Sequence, residues 1–565
     1  MLYSKLFGKT VKTVSKDLST PGNKFLYQGG FIRESVAGRY YFLPLGLKVR
    51  DKVVKVIEEE MNAVGAQKLI TPVLHPIELW AETNRTATTG FELMKIKDRR
   101  DAFFVLGGTA EEMIVDLVRK FNISYRDLPF NVYQFSEKFR DEARARGGLL
   151  RVREFLMKDA YSFHADEKDF KREYQLMADT YSKIFKRLGL ETQIVESDNG
   201  YMGGEYCHEF VVKNEFGESH YFSCNKCAYC AHAEIALSET ESKPQDKKMK
   251  PLQDVEGKGM IGVEELVKFL KIPVHATTKT IIFETDKGVV AAMIRGDFEI
   301  STVKLKNYLA CNYLEIATPE TVKKVTGAEV GYAGPVGLAK EVTLVADFST
   351  KGRMNFEAGA NKTNYHSINV NFERDFPLPP FVDLREPKDG DICGRCGKGK
   401  LKGARGIEVG NIFQLGTHYS ERMKGASYTD ANGKEVPYYM GCYGIGIGRT
   451  LATIAELYHD ERGLIWPAVV SPYQVHLLHL GKDEAVIKRA QKLYKDIQTW
   501  HLEVIYDDRE ASAGSKLADA DLLGIPQRVL ISEKSMAAGG VEFKARAAAK
   551  AEMIKFDDLK AKLTK

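Results

Sequence analysis

The residues best equipped for chemistry lie between positions 138 and 164, KFRDEARARGGLLRVREFLMKDAYSFH. Arg140 and Glu142 open the stretch, and Arg144, Arg146, Arg151 and Arg153 follow within a short loop that contains two glycines. The chain then returns through Glu154-Phe155-Leu156-Met157, an apolar exit that reads as a second strand. The pattern predicts a β-hairpin whose loop concentrates positive charge. An arginine presents a planar, permanently charged fork that can hold a phosphate through two hydrogen bonds. Glu142 offers an acceptor for an amino group or a counter-charge for the arginines. The ring of Phe155 could stack on a flat base. A solvated, salt-bridged hairpin would account for the charge run taken alone.

A second stretch narrows the choice. Gly441-Cys442-Tyr443-Gly444-Ile445-Gly446-Ile447-Gly448-Arg449 alternates small and apolar residues and then opens a helix, TLATIAELYHD. Such glycines let another backbone or a ligand lie close against a strand. Arg449 would then sit on the first helical turn. The stretch is not the dinucleotide fingerprint, because Arg449 stands where a third glycine is needed. Upstream, DAFFVLGGTAEEMIVDLVRKF reads as strand, loop and helix. Thr109 is the expected N-cap, with Glu111 and Glu112 complementing the helix dipole. Two Cys-x-x-Cys knuckles, Cys224/Cys227 and Cys393/Cys396, have the spacing of a four-thiolate zinc ribbon. The gap between them is too long for one small ribbon unless the intervening segment returns its ends side by side; reduced, metal-free knuckles are the alternative. Cys207-His208-Glu209-Phe210 is not a zinc-protease helix, since Val212 takes the place of the second histidine. There is no P-loop.

Taken together, these residues resemble class II aminoacyl-tRNA synthetases. Phe139-Arg140-Asp141-Glu142 with Phe155 is similar to motif 2, Gly444-Ile445-Gly446-Ile447-Gly448-Arg449 to motif 3, and the helix from Gly46 to Gly65 with Leu69-Ile70-Thr71-Pro72 to motif 1. Gly107-Gly108-Thr109-Ala110-Glu111-Glu112 resembles the Thr-x-Glu loop of the prolyl enzymes, and the likeness extends over nearly the whole chain, to the bacterial type with an inserted editing domain. The resemblance implies activation of L-proline by ATP with Mg2+ and transfer to tRNA(Pro). It implies that Arg140 bridges the proline carboxylate and α-phosphate, that Arg449 holds the γ-phosphate, and that Glu142 and Phe155 hold adenine. Gln414 and Thr417 would touch ATP, Thr109, Glu111 and Tyr419 would form the proline pocket, and Glu408 is a candidate magnesium ligand. Arg144 would approach the acceptor stem. In the insertion the matching positions are Lys279, Asp347, Gly359 and His366, which would hydrolyse Ala-tRNA(Pro). A pocket shaped for proline excludes alanine weakly, because a missing methylene is worth only about 1–3 kcal/mol. The knuckles Cys224, Cys227, Cys393 and Cys396 would staple the neck of the insertion, with Zn2+ as a structural metal and Cys230 as a spare thiol. Motif 1 implies a homodimer.

A chain of 565 residues, 44% hydrophobic and 28% charged, describes a globular protein of several domains. A net charge of +5 is too mild to argue for nucleic acid by itself. No run suits a secretory signal or a membrane span, so a cytoplasmic protein with reduced cysteines, no membrane partner and no DNA partner is expected. The expected fold is a multidomain α/β (α+β) protein. An antiparallel-sheet core occupies 1–223 and 397–470, an α/β insertion 224–396, and a mixed-sheet anticodon-binding domain 471–565. In the core, Leu47, Val49, Val53, Val56, Ile57 and Met61 keep to one helical face, and EKDFKREYQLMADTYSKIFKRLGL is a long helix closed by Gly189. In the insertion, SETESKPQDKKMKPLQDVEGKG reads as a linker; a helix, three strands and the glycine-rich GAEVGYAGPVGL follow. At the end, VHLLHL, LEVIYDD and QRVLIS alternate with helices, which predicts a mostly parallel sheet. Rival readings are a threonyl or glycyl synthetase, a non-catalytic tRNA-binding paralogue and a dedicated deacylase. Lys279 and His366 weigh against the first, and intact Arg140, Glu142 and Arg449 against the others.

Overall fold

In the computed structural model, residues 1–564 are described except 15–17, 19, 87–92 and 241–247, with the backbone alone for Tyr201. The chain divides into two units. Unit 1 comprises residues 1–194, 199–218 and 406–565, and unit 2 comprises residues 195–198 and 219–405.

Unit 1 is built round helix α1 (Pro44–Ala63), helix α2 (Glu111–Val118), strands β1 (Phe130–Phe139) and β2 (Glu154–His164), helix α3 (Glu167–Arg187), strand β3 (Tyr206–Lys213), strand β4 (Leu401–Gly416, in this unit from Gly406 on), strand β5 (Tyr439–Gly446) and helix α4 (Ile447–Leu457). The strands pair antiparallel in the order β3-β4-β5-β2-β1. Gln67–Lys68 adds a short parallel edge to β1. Because side chains alternate across a strand, the register sorts residues into two faces. One row, Asn411–Gly444–Asp159–Gln134, runs across four strands, and Phe413–Cys442–Tyr161–Val132 lies beside it on the same face. The interleaved row Gln414–Gly441–Ser162–Asn131 points to the other face.

That other face is the main core. Val49, Val53 and Ile57 of α1 and Phe170, Met177, Tyr181 and Ile184 of α3 are fully buried there with Tyr443 and Ile445. Each such side chain contributes about 1.5–3 kcal/mol of transfer free energy. Helix α1 begins two residues before the expected Gly46, because Pro44 occupies its first turn with its φ already helical. Helix α3 starts at the expected place, where the Asp166 carboxylate accepts from the Asp169 N–H at 2.8 Å. It ends at Gly189, whose φ of +82° closes the last turn.

Three sequence expectations need correction. Thr109 is not the N-cap of α2; Ala110 is, because the Thr109 hydroxyl donates to Glu111 instead of accepting from the backbone. The C-terminal sheet is mixed, as expected of the domain, but it is not mostly parallel as the strand–helix alternation suggested. Val475–His479 pairs in parallel with Val504–Asp507 and Gln527–Ile531, but Gly540–Ala545 and Glu552–Lys555 close it antiparallel. The linker of unit 2 is only partly loop. Residues 241–247 lie outside the described residues, while Gln253–Glu256 forms a strand against Tyr365–Val370, fastened by Ser367 Oγ donating to Asp254 at 2.7 Å. Backbone pairing to a strand more than a hundred residues away overrides the polar composition.

Unit 2 holds a five-stranded sheet in the order Leu314–Ile316, Thr278–Thr285, Gly288–Arg295, Thr343–Asp347, Phe381–Val382. A three-stranded sheet, Gln253–Glu256, Tyr365–Val370, Phe356–Gly359, packs with it, together with helices Val263–Leu270, Thr302–Leu309 and Pro319–Thr326. The knuckles form a separate small cluster with Phe222, Tyr229 and Leu401.

Candidate functional site

The hairpin expected at residues 138–164 forms, with Lys138 opposite Phe155 and Phe139 opposite Glu154. Its loop is less bare than the sequence suggests. Arg151 donates to Glu142 at 2.6 and 3.1 Å, Arg151 and Arg146 both reach Glu218, and Arg153 Nε donates to the Glu142 carbonyl at 2.9 Å. Arg144 is exposed and makes no hydrogen bond or ion pair among the described residues.

Arg140 leaves the end of β1 and donates from Nε to the Gly108 carbonyl at 3.1 Å, while the Phe139 N–H donates to Gly107. Arg140 and the Gly107–Glu112 loop are therefore one structure. The Arg140 guanidinium lies 5.3 Å from the Phe155 ring centre. Arg449, on the first turn of α4, donates from Nη1 to Glu408 at 2.9 Å and from Nε to the Leu150 carbonyl at 2.8 Å. Asn411 donates to the other oxygen of Glu408 at 2.9 Å. A Cβ on Gly444 would meet Asn411 Oδ1 at 2.9 Å, so glycine keeps this row flat.

Beyond Gly108 the site becomes a buried acid pocket. Glu111 and Glu112 are both 0% exposed. Glu111 accepts from the Thr109 hydroxyl at 2.6 Å and from the Cys442 thiol at 3.1 Å. Glu112 accepts from Thr83 at 2.8 Å. Burial raises the Glu112 pKa against the pull of Arg85, with Glu111 adding to the rise. Buried acids need a cation, and Arg85 supplies it. Its Nη1 donates to Glu112 at 2.8 Å, to the Tyr419 hydroxyl at 2.8 Å and more distantly to Glu111 at 3.5 Å. The guanidinium lies 4.9 Å from the Trp80 ring centre. Tyr419 passes its own proton to the Met202 carbonyl at 3.1 Å. Beneath the loop, Asp159 pairs with Lys138 at 3.0 Å and accepts from Gln134 and Tyr161. The Tyr161 hydroxyl accepts the Ala110 N–H at 3.2 Å, which ties α2 to the sheet.

The structure thus brings Thr109, Glu111, Arg140 and Tyr419 to one end of the sheet face and Phe155 and Arg449 to the same face. It does not bring Gln414 there. Gln414 is opposite Gly441, whose Cβ would meet Tyr443 and Phe170 of the main core, and its amide donates to Glu205. Thr417 donates to Glu421 at 2.8 Å on the turn that carries Tyr419. Arg85 and Asn411 were not legible as site residues. Two adjacent acids entering a core signal that a cation is needed, but not which one.

In unit 2 a cavity of about 230 Å³ is lined by Lys279, Gly359 and His366 together with Thr278, Gly331 and Glu357. Lys279 pairs with Glu299. His366 bonds Glu357 through Nδ1 at 2.9 Å and the Met260 carbonyl through Nε2 at 2.8 Å. Both ring nitrogens thus face oxygen acceptors, an arrangement that suits the doubly protonated ring. Burial opposes that charge, but Glu357 and the Met260 carbonyl outweigh it and the His366 pKa is raised. Asp347, expected beside them, does not line the cavity. It is fully buried and accepts the N–H groups of Ser349, Leu384 and Arg385 at 2.8–3.1 Å, a brace between strand ends. Glu357 went unnoticed in the sequence because it sits between two apolar residues of a strand buried on both faces.

The four cysteines of the knuckles converge. Their sulfurs all lie within 4.8 Å of one another, with Cys224–Cys396 at 3.8 Å and Cys227–Cys393 at 3.9 Å. Zinc with Zn–S bonds of about 2.3 Å spaces tetrahedral ligand sulfurs by about 3.8 Å, so the donor set fits that ion. The Gly399 and Lys398 N–H groups pull the Cys396 thiol down to about 6, which favours a thiolate. Cys230 stands outside the cluster, and burial pushes its thiol up to about 12.

Comparison with known proteins bears on the family of the chain. Residues 94–458 match the tRNA synthetase class II core domain (G, H, P, S and T), and residues 474–565 match the anticodon binding domain. A proline–tRNA ligase of Geobacter sp. (strain M21) is 44% identical over 564 residues, 100% of this chain and 98% of the relative. The chain belongs to the proline–tRNA ligase family. Another member, from Sulfurihydrogenibium sp. (strain YO3AOP1), is 45% identical over 97% of this chain and 96% of its own length. Among solved structures, the fold resembles a Giardia lamblia prolyl-tRNA synthetase in complex with prolyl-adenylate, with a TM-score of 0.57, 15% identity, and coverage of 96% of this chain and 75% of that one. Members of this family are class II synthetases, which accounts for the antiparallel sheet of unit 1. Among the described residues no helix is long and apolar enough to cross a membrane.

Proposed function

We propose that the chain activates L-proline with ATP, transfers it to the 3′ end of tRNA(Pro), and hydrolyses Ala-tRNA(Pro) in unit 2. The observation that carries the first part is the join between Arg140 and the acid pocket through Gly107 and Gly108, within a chain that matches proline–tRNA ligases end to end. Thr109 and Glu111 receive the ring nitrogen of proline, a secondary ammonium that needs an acceptor and a negative charge. Tyr419 walls the pocket. Arg140 holds the proline carboxylate against the α-phosphate, Phe155 stacks on adenine with Glu142 near its amino group, and Arg449 faces the γ-phosphate. Thr417 lies on the ATP side; Asn411 and Glu408 take the place foreseen for Gln414.

No covalent enzyme intermediate is required. A carboxylate oxygen of proline attacks the α-phosphorus, the bond to the bridging oxygen breaks, and pyrophosphate leaves. A ribose hydroxyl of the tRNA then attacks the carbonyl and AMP leaves. The protein's part is positioning and charge stabilisation. Mg2+ would be held by Glu408 with the phosphates and would neutralise their charge. The C-terminal domain binds the anticodon, Arg144 contacts the acceptor stem, and the catalytic units pair as a homodimer in the cytoplasm.

The 230 Å³ cavity supports the clearing reaction. It is wide enough for a small aminoacyl group, with Lys279 to hold the ester or terminal adenosine and His366 to set the size limit. Both ring nitrogens of His366 are engaged by Glu357 and Met260, so the imidazolium acts as a wall and a charge rather than as a base. Catalysis is assigned to residues 1–223 and 397–470, the insertion to 224–396 and anticodon binding to 471–565, with the division into compact units falling a few residues away, at 218/219 and 405/406. Cys224, Cys227, Cys393 and Cys396 hold one structural zinc; metal analysis of the purified chain should find about one zinc per chain, and a value near zero removes it from the account. The decisive assay is aminoacylation of tRNA(Pro) by wild type and His366→Ala. Both should form Pro-tRNA, and only the variant should accumulate Ala-tRNA. No accumulation would remove the clearing reaction.

A further inference from the structure

The acid pocket contains a residue that no part of the reaction described so far uses. Arg85 is 3% exposed, yet it carries a full charge and touches three groups of the pocket at once: Glu111, Glu112 and Tyr419. The groups that face the two acids come from every element around them. Thr109 precedes α2, Thr83 and Arg85 lie on the segment after helix Ile77–Glu82, Tyr161 stands on β2, Cys442 on β5, and Tyr419 on the turn after β4. Of these, Arg85 alone is a cation. Two carboxylates and one guanidinium leave one negative charge, which matches the single positive charge of a secondary ammonium.

We propose that Arg85 is a positioning residue for amino-acid selection: its guanidinium offsets the buried Glu111–Glu112 pair and aims Tyr419, so that Glu111 stays available to the ring nitrogen as acceptor and counter-charge. Two acids one residue apart in a dry pocket cannot both stay ionised without a cation, since like charges at this range drive one of them to take up a proton. The structure already leans that way, for burial and Glu111 both raise the Glu112 pKa while Arg85 lowers it. Glu112 Oε2 has no hydrogen-bond partner among the described residues, so with Arg85 gone nothing there fixes a shared proton on Glu112, and Glu111 takes it in part. The inference rests on the reading that Thr109 and Glu111 form the proline pocket.

The test is the pH dependence of KM for proline in ATP–pyrophosphate exchange by the full chain. Wild type should show a flat KM between pH 6 and 8.5. In Arg85→Met the shared proton should appear in this range, and KM should rise as pH falls, by up to about tenfold per unit below the new pKa. Arg85→Lys should restore the flat profile at a higher KM. Arg85→Met combined with Glu112→Gln removes the second acid with the cation, avoids a buried unpaired charge if the single variant folds poorly, and should also be flat. A single variant with a uniformly low kcat and a flat KM, or a double variant as pH-dependent as the single, would overturn the proposal. Glu111→Gln separates the two readings. If it leaves KM for proline unchanged, the pocket assignment falls, whereas a strong effect of Glu111→Gln with flat Arg85 profiles refutes the role of Arg85 alone.

Discussion

The acid pocket of unit 1 and the cavity of unit 2 both bury a glutamate against a cation, but the cations differ. Glu111 and Glu112 face Arg85, whose charge persists at any working pH. Glu357 faces His366, whose charge does not. Both arrangements are buried, so each acid would be costly without its partner. The contrast separates two kinds of site, one whose charge is fixed and one whose charge can be withdrawn by a rise in pH.

The largest expected effect comes from removing the fixed charge. Glu111→Gln should lower kcat/KM for proline in pyrophosphate exchange by about 3–5 kcal/mol, more than a hundredfold, because a buried ion pair with the substrate is broken. It should leave deacylation of Ala-tRNA untouched, and loss of both activities would mean that the variant is unfolded. Phe155→Ala should come next, with a rise in KM for ATP worth about 1–3 kcal/mol, the usual value of a base stacked on an aromatic ring. An unchanged KM would move adenine elsewhere.

The titratable pair gives a smaller and pH-dependent effect. His366 has its pKa raised in the folded protein. Its pairing with Glu357 therefore contributes stability that is complete below the ordinary histidine value of 6.5 and is lost as pH rises through the raised value. Hydrogen exchange of the Tyr365–Val370 strand should quicken across that window in wild type, and Glu357→Gln should flatten the dependence. Equal slopes in the two proteins would mean that the His366–Glu357 pair is not the titrating element. The smallest effect belongs to Arg144→Ala, which should raise KM for tRNA a few-fold and reduce the slope of log KM against log salt by about one.

Much of this arrangement was readable from local sequence, and the reason is physical. The motif 2 hairpin and the strand-to-helix turn at Gly446 are short-range patterns in which spacing alone sets the face a residue occupies. Helix α3 announced itself through Asp166 and Gly189. What escaped notice depends on long-range register. Gln414 and Asn411 are three residues apart on one strand, and only the pairing with β5 shows that Asn411 faces the site while Gln414 faces the core. Arg85 reaches Tyr419 across more than three hundred residues of chain, and Asp347 is drawn into bracing Leu384 and Arg385. The strand at Gln253–Glu256 has a polar sequence and owes its form to its partner.

Amino-acid-dependent ATP–pyrophosphate exchange, with proline, alanine, threonine and glycine side by side on the full chain, tests the central claim most directly. Strong exchange with proline, weak exchange with alanine and none above background with the other two is the predicted result. Silence with proline would contradict the account of the acid pocket and of Arg140.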